Sequence, residues 1–286
     1  MDHRVINKAL TISWLFFLSL EKQNQHIMKT TTFLVAAGLL AISCAAPQED
    51  LVSTPEPPIL EDGAYSLDKS VWTYTDSTAT FEPQQIKIYA EGRYMFATWN
   101  DETGSPSIGA GTVQTKNSKL YETPLYNANG IVDSGTVFEL SISKTTRGFE
   151  QEIKGMQLED SSTFDLYESW SSLAGTASPY DGLWQLSSRN PIEGVTDFKE
   201  IKMIGGGHFV WYHTWSDDST EHADFGYGAF IDNGDGSVTE VAQAGSIEGY
   251  EGEWSIDYTK VGADMIQQTY INTETGEEII QNFKRL

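Results

Sequence analysis

Apolar and polar residues alternate along the second half of the chain, from Asp181 to the C-terminus. Short segments there have a period of two and are rich in β-branched and aromatic residues, which predicts strands. Turn-forming residues such as those of Asn233–Gly236 separate the segments. The predicted strands are Leu183–Ser188, Phe198–Ile204, His208–Trp215, Ala223–Ile231, Ser237–Gln243, Trp254–Val261, Asp264–Ile271 and Glu277–Arg285. Eight hairpin-linked strands favour an up-and-down β-barrel.

The first half of the chain repeats this pattern. IKMIGGGHFVWYHTW, residues 201–215, has a looser counterpart in IKIYAEGRYMFATW, residues 86–99. DGAYSL likewise matches DGLWQL, GAG matches GYG, and YETP matches VTEV. Such self-similarity indicates two copies of one unit. We therefore predict an all-β protein with two tandem antiparallel eight-stranded barrels, over residues 62–173 and 181–286, joined by a linker of residues 174–180.

Glycines mark the turn inside each repeated segment. Residues 90–92 (AEG) and 205–207 (GGG) lie between two predicted strands. A three-residue hairpin loop often ends in a residue with positive φ, so we predict that conformation for Gly92 and Gly207. Neither stretch ends in Gly-Lys-Ser/Thr, which argues against a phosphate-binding loop.

The N-terminal region is predicted to be a targeting signal. MKTTTFLVAAGLLAISC, residues 28–44, has a lysine, a short apolar stretch and a lipobox-like ending, which predicts a lipoprotein signal peptide over 28–43 and lipidation of Cys44. The apolar stretch is shorter than the ~20 residues that span a bilayer. Residues 1–27 are interpreted as a start-site extension, and residues 44–61 as an acidic, proline-rich tether. A plain signal peptide, or a longer one starting at Met1, is the alternative.

The composition of the chain excludes some partners and some covalent links. The 286 residues carry a net charge of −23, which argues against nucleic-acid binding because phosphates would be repelled. Hydrophobic residues make up 39% of the chain, enough for packed cores. Cys44 is the only cysteine, so a disulfide within the chain is excluded. We expect a protein anchored by lipid at the outer membrane or cell surface, or in the periplasm.

The matched segments also carry a family resemblance. Asp-Gly-x-Trp, Ile-Lys-Met, a glycine turn, His-Phe-x-Trp, Gly-x-Gly and a Glu-containing strand together resemble the lipocalin-like domains of secreted Bacteroidetes proteins. The first copy departs from this series at Tyr65, in place of Trp, and at Arg93, in place of His. The resemblance implies a calycin-type barrel with a small apolar pocket. It therefore implies a non-enzymatic protein that binds a small apolar or amphipathic molecule, with no cofactor.

Aromatic residues are the main candidates for a binding site. Alternation places Phe209, Trp211, His213 and Trp215 on one face of their strand, with His208 on the other. These rings either fill the barrel, line a ligand pocket, or form a surface for sugar rings. In the first copy Trp99 falls on the opposite face from its neighbours unless a bulge shifts it. The candidate ligand-binding residues are Arg93, Tyr94, Phe96, Trp99, Glu122, His208, Phe209, Trp211, His213, Trp215 and Glu240.

Other chemistries have weaker signals. His208 and His213 point to opposite faces of one strand, so a shared metal site is not expected, and His208 is predicted to anchor its hairpin through a hydrogen bond. Residues 232–240 fit a hairpin turn better than a calcium loop. Glu122 and Glu240 recur at matched positions, and cross-strand pairing is expected for them. Glycan binding through exposed Trp and Tyr, and a carboxylate-dependent hydrolase, are the alternative functions.

Overall fold

The computed structural model describes residues 59–100, 105–128, 135–157, 162–217, 220–272 and 275–286. Within these ranges the regular secondary structure is entirely β. None of the described residues forms a helix with the length and apolarity needed to cross a membrane. The predicted start-site extension, signal peptide and Cys44, with most of the tether, lie outside the described residues.

The first copy forms a barrel, here barrel 1, from nine strands. Strand β1 pairs with β3 and also with β9, which closes a ring of eight strands, and the short β2 adds to the edge of β1. Neighbouring strands are antiparallel throughout. The strands are β1 (Gly63–Thr73), β2 (Thr78–Phe81), β3 (Gln85–Ala90), β4 (Arg93–Asn100), β5 (Ser105–Lys116), β6 (Lys119–Asn127), β7 (Phe138–Lys144), β8 (Gly148–Gln157) and β9 (Thr163–Ser172).

The second copy forms barrel 2, a closed antiparallel ring of eight strands. Each strand predicted for this copy is present, and none of the ends differs from the prediction by more than two residues. The predicted fold class is therefore confirmed. The strands are β10 (Gly182–Arg189), β11 (Thr196–Gly205), β12 (His208–Ser216), β13 (Glu221–Asp232), β14 (Ser237–Gly245), β15 (Gly252–Lys260), β16 (Met265–Ile271) and β17 (Glu278–Arg285).

The turns β3–β4 and β11–β12 are tighter than the sequence predicts. Gly92 and Gly207 have positive φ, as expected, with values of 72° and 73°. The predicted three-residue loop is wrong, however, because each turn has two residues, Glu91-Gly92 and Gly206-Gly207. Glu91 and Gly206 also have positive φ, as a type I′ turn requires, and this turn matches the twist of the flanking strands.

The Gly-x-Gly motif of each copy makes room for an aromatic ring. A Cβ on Gly109 would lie 2.4 Å from the ring of Phe96 in the neighbouring strand. A Cβ on Gly226 would lie 2.4 Å from Tyr250 and 2.7 Å from Trp211. These glycines therefore let a large ring lie across the adjacent strand inside each barrel.

Buried apolar residues form three clusters, one inside each barrel and one between the barrels. The third cluster joins the outer faces of β3–β5 to the outer faces of β11–β13. Most of its members occupy matched positions in the two copies. The matched pairs are Ala64 and Leu183, Ile86 and Ile201, Ile88 and Met203, Met95 and Val210, Ala97 and Tyr212, and Ile108 and Phe225.

The contacts between the barrels are reciprocal. The turn of barrel 2 abuts β1, so that a Cβ on Gly206 would lie 2.7 Å from the Cα of Gly63. In the matching place, the carboxylate of Glu91 in the barrel 1 turn binds Arg285 next to Gly182. Each barrel therefore contacts the other through the same surface, as in a two-fold symmetric dimer.

Candidate functional site

Each barrel encloses a lysine–glutamate ion pair. The Nζ of Lys87 lies 2.6 Å from an Oε of Glu122, and the Nζ of Lys202 lies 2.6 Å from an Oε of Glu240. The four residues are between 2% and 5% exposed. Lys87 is matched to Lys202 and Glu122 to Glu240 in the repeat, so the pair occurs at the same place in both barrels.

These ion pairs cross the barrel interior. The lysines lie in β3 and β11, and the glutamates in β6 and β14, so two strands separate the partners in each barrel. The residues directly opposite Glu122 are Val113 and Phe138, neither of them charged. Those opposite Glu240 are Phe230 and Trp254. The expected cross-strand pairing of Glu122 and Glu240 is therefore wrong for their ion pairs, whose lysines lie two strands away. Alternation turns Glu122 inward, so its partner comes from across the interior.

A tyrosine hydroxyl also binds each buried carboxylate. Tyr89 donates to Glu122 at 2.6 Å, and Tyr258 donates to Glu240 at 2.9 Å. Burial, reinforced by the adjacent glutamate, raises the pKa of both hydroxyls well above the usual range, so they remain donors. The two tyrosines come from unmatched strands, β3 and β15. Each barrel thus places a tyrosine hydroxyl on its buried glutamate, but from a different strand.

Aromatic rings surround the two ammonium groups. Lys87 Nζ lies 5.3 Å from the ring centre of Tyr94 and 5.8 Å from that of Trp170. Lys202 Nζ lies 5.4 Å from the ring centre of Phe209. Such contacts partly replace the lost hydration of a cation. Tyr94 and Phe209, both candidate residues from the sequence, therefore line the inner charged layer.

Glutamines extend this layer in barrel 2. Lys202 donates to the Oε1 of Gln268 at 3.2 Å, and Gln268 donates to Gln281. Gln281 donates in turn to the Oε2 of Glu200 at 3.0 Å. Burial raises the pKa of Glu200, while nearby His213 and Lys202 act in the opposite direction. A continuous chain of polar side chains therefore runs along the interior of this barrel.

The corresponding layer of barrel 1 is less completely bonded. Gln151 donates to Glu168 at 2.5 Å, in the places occupied by Gln268 and Gln281 in the other barrel. The buried Oε1 of Gln151 has no hydrogen-bond partner among the described residues, whereas that of Gln268 accepts from Lys202. Burial raises the pKa of Glu168 to about 7, although nearby Lys87 opposes the shift.

One end of barrel 2 carries a group of stacked rings. We call it the barrel 2 mouth, consisting of Arg189, Phe198, Trp211, His213 and Tyr250. The His213 ring stacks on Trp211 at 4.7 Å between centres and contacts Phe198 at 4.8 Å. Trp211 donates to the hydroxyl of Tyr250 at 2.6 Å, and the guanidinium of Arg189 lies 4.1 Å over the Phe198 ring. Aromatic and cationic groups thus meet at one end of the barrel.

Trp215 and His222 lie beside the mouth on the β12–β13 hairpin. Their rings stack at 4.0 Å, and His222 Nε2 lies 2.9 Å from Asp217. Asp224 accepts from Trp215 at 3.3 Å and lies 3.4 Å from His213 Nε2. The hydrogen bond with His213 contributes most to lowering the pKa of Asp224. The rings here are half-buried and contact one another.

The candidate residues from the sequence divide into two groups. Phe209 and Trp211 share the inner face, as alternation predicts, while Val210 lies in the interface between the barrels. His208 is buried and contacts the Gly206 carbonyl through Nδ1 at 3.1 Å, which agrees with its expected role in the hairpin. Arg93 donates to the Leu286 carbonyl at 2.9 Å and so belongs to the interface.

Two further candidates lie in barrel 1. Phe96 packs inside it against Gly109. Trp99 lies in β4, and its side chain is outside the described part of the structure.

Sequence reasoning missed several residues of the site. Lys87 and Lys202 stand in the middle of apolar repeated strands, and a charge recurring there was the available signal. The remaining missed residues are Gln151, Glu168, Arg189, Glu200, Gln268 and Gln281. Among the described residues, no group of three or more His, Cys, Asp or Glu side chains is placed to hold a metal ion.

Comparisons with known proteins identify no family. No family model matches the chain, and no curated protein matches it. Among solved structures, the chain is similar to a protein of unknown function from the DUF3598 family of Nostoc punctiforme. The identity is 10% and the TM-score 0.25, with 79% of this chain and 96% of the other covered.

Proposed function

We propose that the protein is a non-enzymatic, lipocalin-like binding protein that holds a small apolar or amphipathic molecule inside a barrel. The observation that carries the proposal is the ion pair buried at matched positions of both barrels, Lys87–Glu122 and Lys202–Glu240. A buried ion pair is a poor way to stabilise a core, because desolvation offsets much of the attraction. Its presence in both copies therefore supports a role in recognition.

The arrangement of side chains suits an amphipathic ligand. Ligand sites are mainly apolar, with a few polar groups that fix the ligand's orientation. Here the aromatic rings of Phe209, Trp211 and Tyr250 supply the apolar part, and the buried ion pair supplies the polar part. In barrel 1 the free Oε1 of Gln151 offers an acceptor to a ligand donor.

A fluorescent probe tests the binding function. The neutral probe N-phenylnaphthylamine emits strongly only in apolar surroundings, and its emission should rise saturably with the folded secreted chain. Energy transfer from tryptophan to the probe should accompany binding, since Trp211 lies at the mouth. Urea-unfolded protein is the control. A linear, non-saturating response, together with no co-purified small molecule in native mass spectrometry, would overturn the proposal.

We further propose that lipid on Cys44 anchors the protein to the outer membrane or cell surface, or in the periplasm. The support is the only cysteine of the chain, which stands at the end of a signal-like stretch. Labelling with an alkynyl fatty acid in the native host should mark the wild type but not Cys44→Ala. The Cys44→Ala variant should also leave the membrane fraction. Equal labelling of the two proteins would contradict the anchor.

The alternative functions find less support. A glycan platform uses exposed rings, whereas the aromatic side chains described here are buried or half-buried. A hydrolase of the kind considered uses two facing carboxylates, whereas Glu122 and Glu240 lie in different barrels, each paired with its own lysine. We therefore propose neither.

A further inference from the structure

We propose that the ligand enters barrel 2 and that Arg189 at the mouth binds its anionic head group, a carboxylate or sulfonate. This inference rests on the proposed binding function. It adds the choice of barrel and the chemistry of the head group.

Arg189 faces the inside of barrel 2. It lies directly opposite Gln281, whose side chain is buried in the interior, and residues opposite one another share a face of the sheet. The guanidinium rests on the Phe198 ring. Its Nε is buried and has no hydrogen-bond partner among the described residues. A buried donor without an acceptor is destabilising, and a ligand oxygen at this point would satisfy it.

Glu200, the carboxyl that acts electrostatically on Arg189, has another partner. It accepts a hydrogen bond from Gln281. Arginine presents a planar fork of donors that matches the two oxygens of a carboxylate or of a sulfonate edge. An anionic head group is therefore the partner that best fits the guanidinium.

The rings of the mouth fit the apolar body of such a ligand. Phe198, His213 and Trp211 form a continuous series of ring contacts, which Tyr250 and Trp254 extend. A flat apolar body would pack on these rings while its head group meets Arg189. The ligand class is thus a small anionic amphiphile with a planar or extended apolar part.

Barrel 1 has the inner ion pair but not these mouth residues. Ser70 takes the place of Arg189, since it lies opposite Glu168 as Arg189 lies opposite Gln281. Its hydroxyl accepts from the Trp72 indole at 3.0 Å. Thr98 takes the place of His213 in the matched strand. One anionic ligand per chain is therefore expected, in barrel 2.

Two related probes separate the head group from the apolar body. Anilinonaphthalenesulfonate has the same ring systems as N-phenylnaphthylamine and adds one sulfonate. The wild-type chain should bind one sulfonated probe. Arg189→Gln should weaken that binding about tenfold or more, in line with the loss of a hydrogen bond to a charged group, and should weaken binding of the neutral probe much less. Arg147→Gln, on an exposed arginine of barrel 1, is the matched control and should change neither affinity.

The outcomes distinguish this inference from the proposed function. Failure of both probes to bind the wild type would overturn both proposals. Binding of both probes, with the sulfonated probe unaffected by Arg189→Gln or weakened no more than the neutral one, would overturn this inference alone. Arg189→Lys keeps the charge but loses the planar guanidinium donors. The affinity of this variant for the sulfonated probe should therefore lie between those of wild type and Arg189→Gln. Near-ultraviolet circular dichroism of each variant checks that the barrel is intact.

Discussion

Glu168 in β9 and Gln281 in β17 occupy matched positions, each directly opposite a buried glutamine of the neighbouring strand, Gln151 or Gln268. The two side chains have nearly the same shape, but only Glu168 can ionise. Its burial raises the pKa to about 7. Barrel 1 therefore contains a carboxyl whose charge changes near neutral pH, at a site where barrel 2 has a neutral amide.

This difference predicts a pH-dependent stability that one substitution removes. Between its unfolded pKa of 4.5 and about 7, Glu168 holds a proton in the folded chain that the unfolded chain releases. Stability should therefore fall as pH rises through this window, by about 3 kcal/mol at ~1.36 kcal/mol per pKa unit. Glu168→Gln should remove the part of the decline that Glu168 causes and be the more stable protein at about pH 8. Urea denaturation at about pH 5 and pH 8 measures both effects.

The exposed Glu253→Gln is the control for that experiment and should keep the pH dependence of the wild type. An equal loss of stability in wild type and Glu168→Gln over the same pH range would show that Glu168 is not responsible.

The buried ion pair of barrel 2 predicts that removing the charge of one partner destabilises the protein more than removing the charges of both. Lys202→Met leaves Glu240 buried without its cation, which should lower the free energy of unfolding by about 3–5 kcal/mol. Adding Glu240→Gln to Lys202→Met should recover part of this loss, because no uncompensated charge then remains. Thermal melting measures the series. Lys199→Met, which breaks the exposed pair with Asp197, should change the same quantity far less, because water screens that pair. Similar losses at the two lysines would contradict the buried pairing.

The contact between the barrels predicts different effects at two glycines. Gly206 and Gly234 both have positive φ, at 58° and 80°, so alanine should introduce about 1–2 kcal/mol of backbone strain at either position. Only at Gly206 would the new Cβ also meet backbone atoms of Gly63 and Ala64. Gly206→Ala should therefore lower the melting temperature more than Gly234→Ala. Equal effects would mean that the β11–β12 turn does not abut β1.

The glycines of the Gly-x-Gly motif test which barrel binds. Gly226→Ala would push against Trp211 and Tyr250, and Gly109→Ala would push equally against Phe96. Both substitutions should perturb core packing to a similar degree. Only Gly226→Ala should lower the affinity for the sulfonated probe, by several-fold, because the affected rings belong to the barrel 2 mouth. Fluorescence titration of both variants gives the comparison, and a stronger effect of Gly109→Ala would assign the probe to barrel 1.

Local patterns were enough to predict the eight strands of the second copy and an eight-stranded ring in each barrel, although the short β2 of the first copy was not predicted. Period-two alternation and turn residues are local signals, and the repeat gave the prediction a second, independent instance. The faces of β12 were also predictable, because Phe209 and Trp211 alternate with Val210 and Tyr212. Sequence could not tell which face is the interior, since the other face is buried between the barrels and β11–β12 reads as a continuous buried run.

The position of Arg189 shows why the site itself was harder to predict. Leu186 points into barrel 2, and simple alternation would turn Ser188 inward and Arg189 outward. A register shift between Leu186 and Ser188 reverses this order and brings Arg189 opposite Gln281. Such a bulge leaves no clear mark in the sequence. The inner ion pairs were missed for a related reason, because their partners meet across the interior rather than along a strand.

The reciprocal contact between the barrels explains how one chain can have different residues at the matching ends of its two barrels. A symmetric homodimer must present identical residues at both ends, so every change is made twice. Covalent fusion removes that restriction and also holds the halves together independently of concentration. One barrel can then have the uncharged Ser70 at a position where the other barrel has the charged Arg189. Fusion of the two copies thus allows the residues at the far end of each barrel to differ while the shared contact surface stays the same.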